Sequence, residues 1–130
     1  MTATTDLASK SVEDIRPFLS TIDIAIATDA PGLSAAVDLQ ANSPVGIMMP
    51  SAWTAGNLTF QASFDNSDFG DMRDSAGNEV TVTADTDVYI SIDPVDFVGI
   101  QYIKVRSGIS GTPVVQAAAR TLKLHVRRVS

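Results

Sequence analysis

The sequence predicts an all-β protein: one antiparallel β-sandwich preceded by a short N-terminal arm. Three observations carry this. Apolar residues recur with period two in short runs along most of the chain. Gly, Pro, Asn and Asp residues punctuate those runs at regular intervals. No stretch alternates strands with long helical patterns, which disfavours a parallel α/β sheet. With 130 residues the chain is one domain's worth, and a domain of that size buries roughly two-thirds of its unfolded surface. No linker, repeat or low-complexity tract divides it.

Residues 1–20 read as a polar arm with about one or two helical turns. Ser11 stands as N-cap, with Asp14 where Glu would be preferred, and Pro17 stops the helix early. The arm is either a free terminus or a segment that docks on a neighbour. The sandwich domain takes residues 21–130. Ile22, Ile24 and Ile26 alternate with Asp23, Ala25 and Ala27, giving a half-buried strand. Asp29 to Gly32 is a turn. Ala36 to Leu39 is a weaker strand. Val45 to Met49 is a continuous apolar run, suited to a strand covered on both faces. Leu58, Phe60, Ala62 and Phe64 form the clearest alternation in the chain. An Asp-, Asn-, Ser- and Gly-rich loop follows from Asp65 to Gly77.

Glu79 to Thr83 is the next strand, with Val80 and Val82 inward. Val88, Ile90 and Ile92 alternate again. Asp93-Pro94-Val95-Asp96-Phe97 has the form of one helical turn, capped by Asp93, started by Pro94 and ended by Gly99. Gln101 to Arg106 is a strand with Ile103 and Val105 inward, and Ser107-Gly108 and Ser110-Gly111 open a loop. Pro113 to Arg120 is a short helix or an extended crossover. Leu122, Leu124 and Val126 alternate with Lys123, His125 and Arg127 in the last strand.

Composition narrows the function. The chain contains no cysteine, so it has no disulfide and no thiolate metal site. No secretory leader is recognisable and no apolar run approaches the roughly 20 residues that span a bilayer. A soluble protein with no membrane partner is expected. A net charge of −6 argues against nucleic acid as the main partner. The charges are also segregated. Nine acids and one base, Arg73, lie between Asp65 and Asp96, and six bases with no acid follow Asp96. Neighbouring strands pair these charges within one subunit, or an acidic face meets a basic face of another subunit. On the second reading Lys123, Arg127, Arg128, Asp68 and Asp71 are the candidate interface residues.

Catalytic motifs are missing. The single histidine, His125, sits between Lys123 and Arg127 and reads as a surface strand residue. No Gly-x-Ser-x-Gly elbow occurs, nor any phosphate- or dinucleotide-binding glycine motif. Neither an enzyme nor a cofactor is expected. Asp65, Asn66, Ser67, Asp68, Asp71 and Asp74 supply hard oxygen atoms that suit calcium. Phe69 breaks the EF-hand spacing, so a solvated turn is the preferred reading and no metal is assigned. Trp53, the only tryptophan, is a candidate ligand-loop residue. It serves as a sugar platform or, more in keeping with one large side chain between two strands, as a plug for the sandwich end.

The stretch Val45-Gly46-Ile47-Met48-Met49-Pro50-Ser51-Ala52-Trp53-Thr54-Ala55 leads into Leu58-Thr59-Phe60-Gln61-Ala62-Ser63. Further on come Tyr102-Ile103-Lys104-Val105-Arg106-Ser107-Gly108 and Thr112 to Leu122. Over about residues 34–127 this resembles small structural proteins of tailed bacteriophages and phage-like gene transfer agents. The order of a Gln-Ala-Ser strand, an acidic turn and Tyr-Ile-Lys-Val-Arg also resembles discoidin-like, galactose-binding jelly rolls. Here Ser63-Phe64-Asp65-Asn66 replaces their usual Ser-x-Asp-Gly turn.

The resemblance implies a jelly-roll sandwich and a non-enzymatic virion protein: a head decoration, head spike or tail-associated component. It would be made in the host cytoplasm and assemble as a homo-oligomer on other virion proteins, in capsid or tail. The alternative is a carbohydrate- or receptor-binding module that takes a cell-surface glycan. A small hydrolase using Asp and Ser is a weaker third reading.

Overall fold

The computed structural model describes residues 19–29 and 31–128. Nine strands follow in order: β1 (Leu19–Ile26), β2 (Val37–Asp38), β3 (Asn42–Met48), β4 (Leu58–Ser63), β5 (Gly70–Asp71), β6 (Tyr89–Ser91), β7 (Tyr102–Ile109), β8 (Thr112–Pro113) and β9 (Arg120–Arg128). They build two sheets, ordered β1-β9-β3-β6 and β2-β7-β4-β5, with β8 attached to β7. Every strand pairing is antiparallel. Set aside β8, a two-residue return of the β7 hairpin, and β9 counts as the eighth strand. The sheets then read 1-8-3-6 and 2-7-4-5, the paired Greek keys of a jelly roll. The fold is the all-β antiparallel sandwich that the sequence predicts.

Alternation fixes the core. Ile24 and Ile26 of β1, Leu58 and Phe60 of β4, Ile103 and Val105 of β7, and Leu122, Leu124 and Val126 of β9 are all buried between the sheets. Phe60 meets Phe97 edge-on, with ring centroids 5.1 Å apart and planes at 87°. Phe97 is delivered by a one-turn 3-10 helix, Pro94–Phe97. The Asp93 carboxylate caps it by accepting the Val95 amide, and Pro94 fits its first turn because no N–H is needed there. Gly99 ends the turn at φ +84, a conformation that glycine adopts without a Cβ penalty.

Several expectations need correction. Most of the predicted arm, residues 1–20, lies outside the described residues, and its last two, Leu19 and Ser20, already belong to β1. β3 is not covered on both faces. Ile47 and Met49 are buried but Met48 is 42% exposed. A bulge between Pro44 and Gly46 shifts the register, and beyond it Ile47 faces inward while Met48 lies on the open outer face. Phe64 does not continue the inward row of β4 and is 83% exposed. The strand stops at Ser63, whose Oγ accepts the amides of Asp65 and Asn66 and turns the chain.

Glu79 to Thr83 makes only isolated bridges, Arg73 to Glu79 and Leu58 to Val82, although Val80 and Val82 do pack against the core. Val88 is partly exposed. Ser107-Gly108 is not a loop: β7 runs on to Ile109 and turns at Ser110-Gly111 into β8. Residues 114–119, between β8 and β9, are an extended crossover rather than a helix.

Candidate functional site

The two ends of the sandwich differ in character. At one end β1 begins, β9 finishes, and the β2–β3 turn meets the Asp93–Gln101 connection. The antiparallel register sets Arg127 between Leu19 of β1 and Ser43 of β3, and Arg128 beside Asn42. Both arginines are exposed. With Ser43, Val45, Pro94 and Val98 they line a cleft of about 280 Å³. A second cleft of about 350 Å³ adjoins it, sharing Ser43 and Val98 and lined also by Gln40 and Phe97. Val95 and Val98, 70% and 61% exposed, stand beside these clefts. Neither Arg127 nor Arg128 makes an ion pair among the described residues. This end therefore offers cationic and apolar groups side by side.

The other end is closed. The Trp53 ring is half-buried against the core, and its indole N–H donates to the Gly56 carbonyl at 2.9 Å. Gln116, 1% exposed, donates to the Thr54 carbonyl and the Ser107 hydroxyl, and its Oε1 accepts from the Thr54 amide and Arg120. With the ring edge and its donor engaged, Trp53 has the geometry of a plug.

The candidate interface residues do not form one patch. Lys123 sits midway along β9 on the outer face of the first sheet. It pairs with Asp23 at 3.0 Å, and both side chains are more than half exposed. Exposed pairs of this kind contribute little, about 0–1 kcal/mol. Asp68, in the loop between β4 and β5, and Asp71 lie on the side of the opposite sheet. The Asp68 amide donates to Asp65 Oδ1, while Asp71 lies on edge strand β5, beside Gln61.

Besides the Asp93 cap, the acidic run is used locally at Asp65, at Asp74 and at the Asp71 and Glu79 pair. Asp65 accepts the amides of Ser67 and Asp68 and the Ser63 hydroxyl, and these bonds hold its carboxyl below the ordinary carboxylate value. Asp74 similarly accepts the amides of Ala76 and Asn78. These are turn-closing carboxylates. Among the described residues no three acidic or histidine side chains converge as a metal site. Asp71 and Glu79 both pair with Arg106, which is 4% exposed on β7 and also donates to the buried Thr59 hydroxyl. Sequence reasoning counted Arg106 only as one base among six. Its role depends on a register that places it opposite Thr59 across the β4–β7 pair.

His125 lies on the outer face of β9, as the alternation predicts, and is half-buried there. Its Nδ1 lies 2.8 Å from the Tyr89 hydroxyl, and the Tyr89 ring lies over Gly46. A Cβ at position 46 would collide with the Tyr89 ring and hydroxyl, so a side chain there would displace Tyr89 from this position. His125→Ala removes one exposed hydrogen bond. It is expected to cost about 1 kcal/mol or less, read as the shift of a urea midpoint at unchanged slope.

No protein-family model matches the chain, and no curated protein sequence matches it. The fold is similar to that of SPBc2 prophage-derived protein YomS, known from its crystal structure. The TM-score is 0.51 at 13% identity, over 83% of this chain and 93% of that one. The likeness is one of fold, nearly end to end in the prophage protein.

Proposed function

We propose that this protein is a non-enzymatic structural component of a tailed phage or phage-like particle, assembling on other virion proteins of capsid or tail. The observation that carries the reading is the jelly-roll fold, similar over 83% of this chain to a prophage-derived protein. Jelly rolls recur as viral capsid domains. The sequence resemblance to phage structural proteins points the same way. The open end of the sandwich supports it physically: exposed Val95 and Val98 supply apolar contact, and Arg127 and Arg128 supply a cationic rim. A sugar-binding reading that uses Trp53 as a platform is less favoured, because the indole is half-buried and its N–H is satisfied internally.

Rim charges act mainly on association rate and its salt dependence. Arg127→Glu with Arg128→Glu should therefore reduce incorporation into particles, and the wild-type advantage should shrink at high salt. The Debye length falls from about 10 Å at 0.1 M to about 3 Å at 1 M. The isolated domain should stay folded, since both side chains are exposed and unpaired among the described residues. Normal occupancy of the double variant on purified particles at low salt would remove the arginine end from the reading.

A further inference from the structure

The four sheet edges are unequal. β2 and β5 are two residues long and β6 is three. Edges that short offer little to pair with, which is how sheet proteins limit unwanted association. β1 is eight residues long and stands at the edge of its sheet. Its sequence, Leu-Ser-Thr-Ile-Asp-Ile-Ala-Ile, is rich in β-branched residues and contains no Pro and no Lys. Its one charge, Asp23, is drawn sideways to Lys123 on the neighbouring strand. Within the strand itself no Pro, Lys or bulge blunts the edge.

A second observation lies beside it. The sandwich is open between β1 and β2, where Ile22 and Val37 line a cleft of about 460 Å³ together with Ser20, Gln40 and, at its rim, Asp23 and Asp38. Ile22 and Val37 are only half-buried, although each follows the inward parity of its strand. A further strand added at β1 would carry its own inward side chains over this gap.

We propose that β1 is the self-association surface, pairing antiparallel with β1 of a second copy about a two-fold axis at Ile22. The sequence selects this register. Odd positions point outward and even positions inward, so a one-residue slip would set inward against outward side chains. Centring the axis on Asp23 would oppose two carboxylates, which destabilises a cross-strand pair. Centring it on Ile24 would pair only Ile22 to Ile26. Centring it on Ile22 pairs all of Leu19 to Ala25, sets Thr21 opposite the partner's Asp23, and brings the two Ile22 side chains together over the open clefts. A C2 pairing of this kind is closed, so it yields a dimer and not a fibre. The surface adjoins the arginine end only at Leu19, which neighbours Arg127, and the inference does not rest on the virion reading.

The test uses the full-length chain. Sedimentation velocity should show a concentration-dependent dimer. Thr21→Asp should weaken it by at least about tenfold, because the new like-charge pair occurs twice per dimer, without moving the denaturation midpoint at low protein concentration. Thr21→Lys, facing Asp23, should retain or tighten it. The chain has no cysteine, so register can be read directly. A mixture of Thr21→Cys and Asp23→Cys chains should form the mixed disulfide on oxidation, and neither variant alone should cross-link. Opposed residues in an antiparallel pair lie about 4.5–5.5 Å apart, within disulfide reach. Three outcomes would each overturn the proposal. One is a monomer at about 1 mM, a concentration that populates even weak dimers. Another is a dimer indifferent to Thr21→Asp. The third is a dimer that appears only once residues 2–18 are deleted, which would make the arm the occupant of this edge.

Discussion

Phe60→Ala should lower the free energy of unfolding by about 3–5 kcal/mol, the usual range for removing a large aromatic from a well-packed core. Phe60 is fully buried at the centre of β4, between the two sheets. Its ring stands edge-on to Phe97, 5.1 Å away, and edge-to-face pairs add about 0.5–1.5 kcal/mol beyond area burial. The 3-10 turn that carries Phe97 is short and has few other anchors. Loss of Phe60 should therefore also loosen the Asp93–Gly99 connection, which borders the arginine end. Denaturant titration measures the first effect, and amide exchange at Ile100, whose N–H donates to the Phe97 carbonyl, measures the second. A loss below about 1 kcal/mol would mean that Phe60 does not anchor this core.

The inward rows were legible because a half-buried strand writes its burial into alternate residues. Ile24 and Ile26, Leu58 and Phe60, and Leu122 to Val126 needed no structure to be placed. The capped turn at Asp93-Pro94 was legible for a different reason, since its backbone chemistry is local. Alternation failed where the strand ended or the run was apolar throughout. Phe64 continues the pattern in sequence, but Ser63 has already turned the chain. Val45 to Met49 reads as doubly covered because it is apolar at every position, yet Met48 on its outer face stays exposed. The charge map was legible only as a sum. Two bases of the C-terminal half do find partners within the subunit, Arg106 with Asp71 and Glu79, and Lys123 with Asp23. Which base would pair and which would stay exposed depends on cross-strand neighbours far apart in sequence. Arg127 and Arg128 reach the open end because they finish β9, and no local signal distinguishes them from Arg106.

Arg106→Met should be the most damaging single change at a charged position, at about 3 kcal/mol. The methionine keeps most of the apolar stem but removes every guanidinium contact. Breaking a buried ion pair from one side costs about 3–5 kcal/mol, because the abandoned charge stays in a poorly solvated place. The lower end applies here, since the Asp71 side chain is 38% exposed and can rehydrate, whereas Glu79 is 14% exposed and cannot do so fully. Glu79 would keep only the Ser110 amide, and the buried Thr59 hydroxyl would lose its guanidinium partner. Asp71→Asn should cost less than the arginine change, because it removes only the more exposed partner.

The same network predicts an acid dependence. Hydrogen bonding to Arg106, with its positive charge, holds the Asp71 carboxyl below its ordinary value of 3.8. A group whose pKa is lower in the folded state contributes stability that is complete above the unfolded value and is lost as pH falls through the folded one. The stability gap between wild type and Arg106→Met should therefore be constant near neutrality and narrow below about pH 3.8. Urea titrations of both proteins across that range would show it. A gap under about 1 kcal/mol at neutral pH would reduce the Arg106 cluster to a surface ion pair.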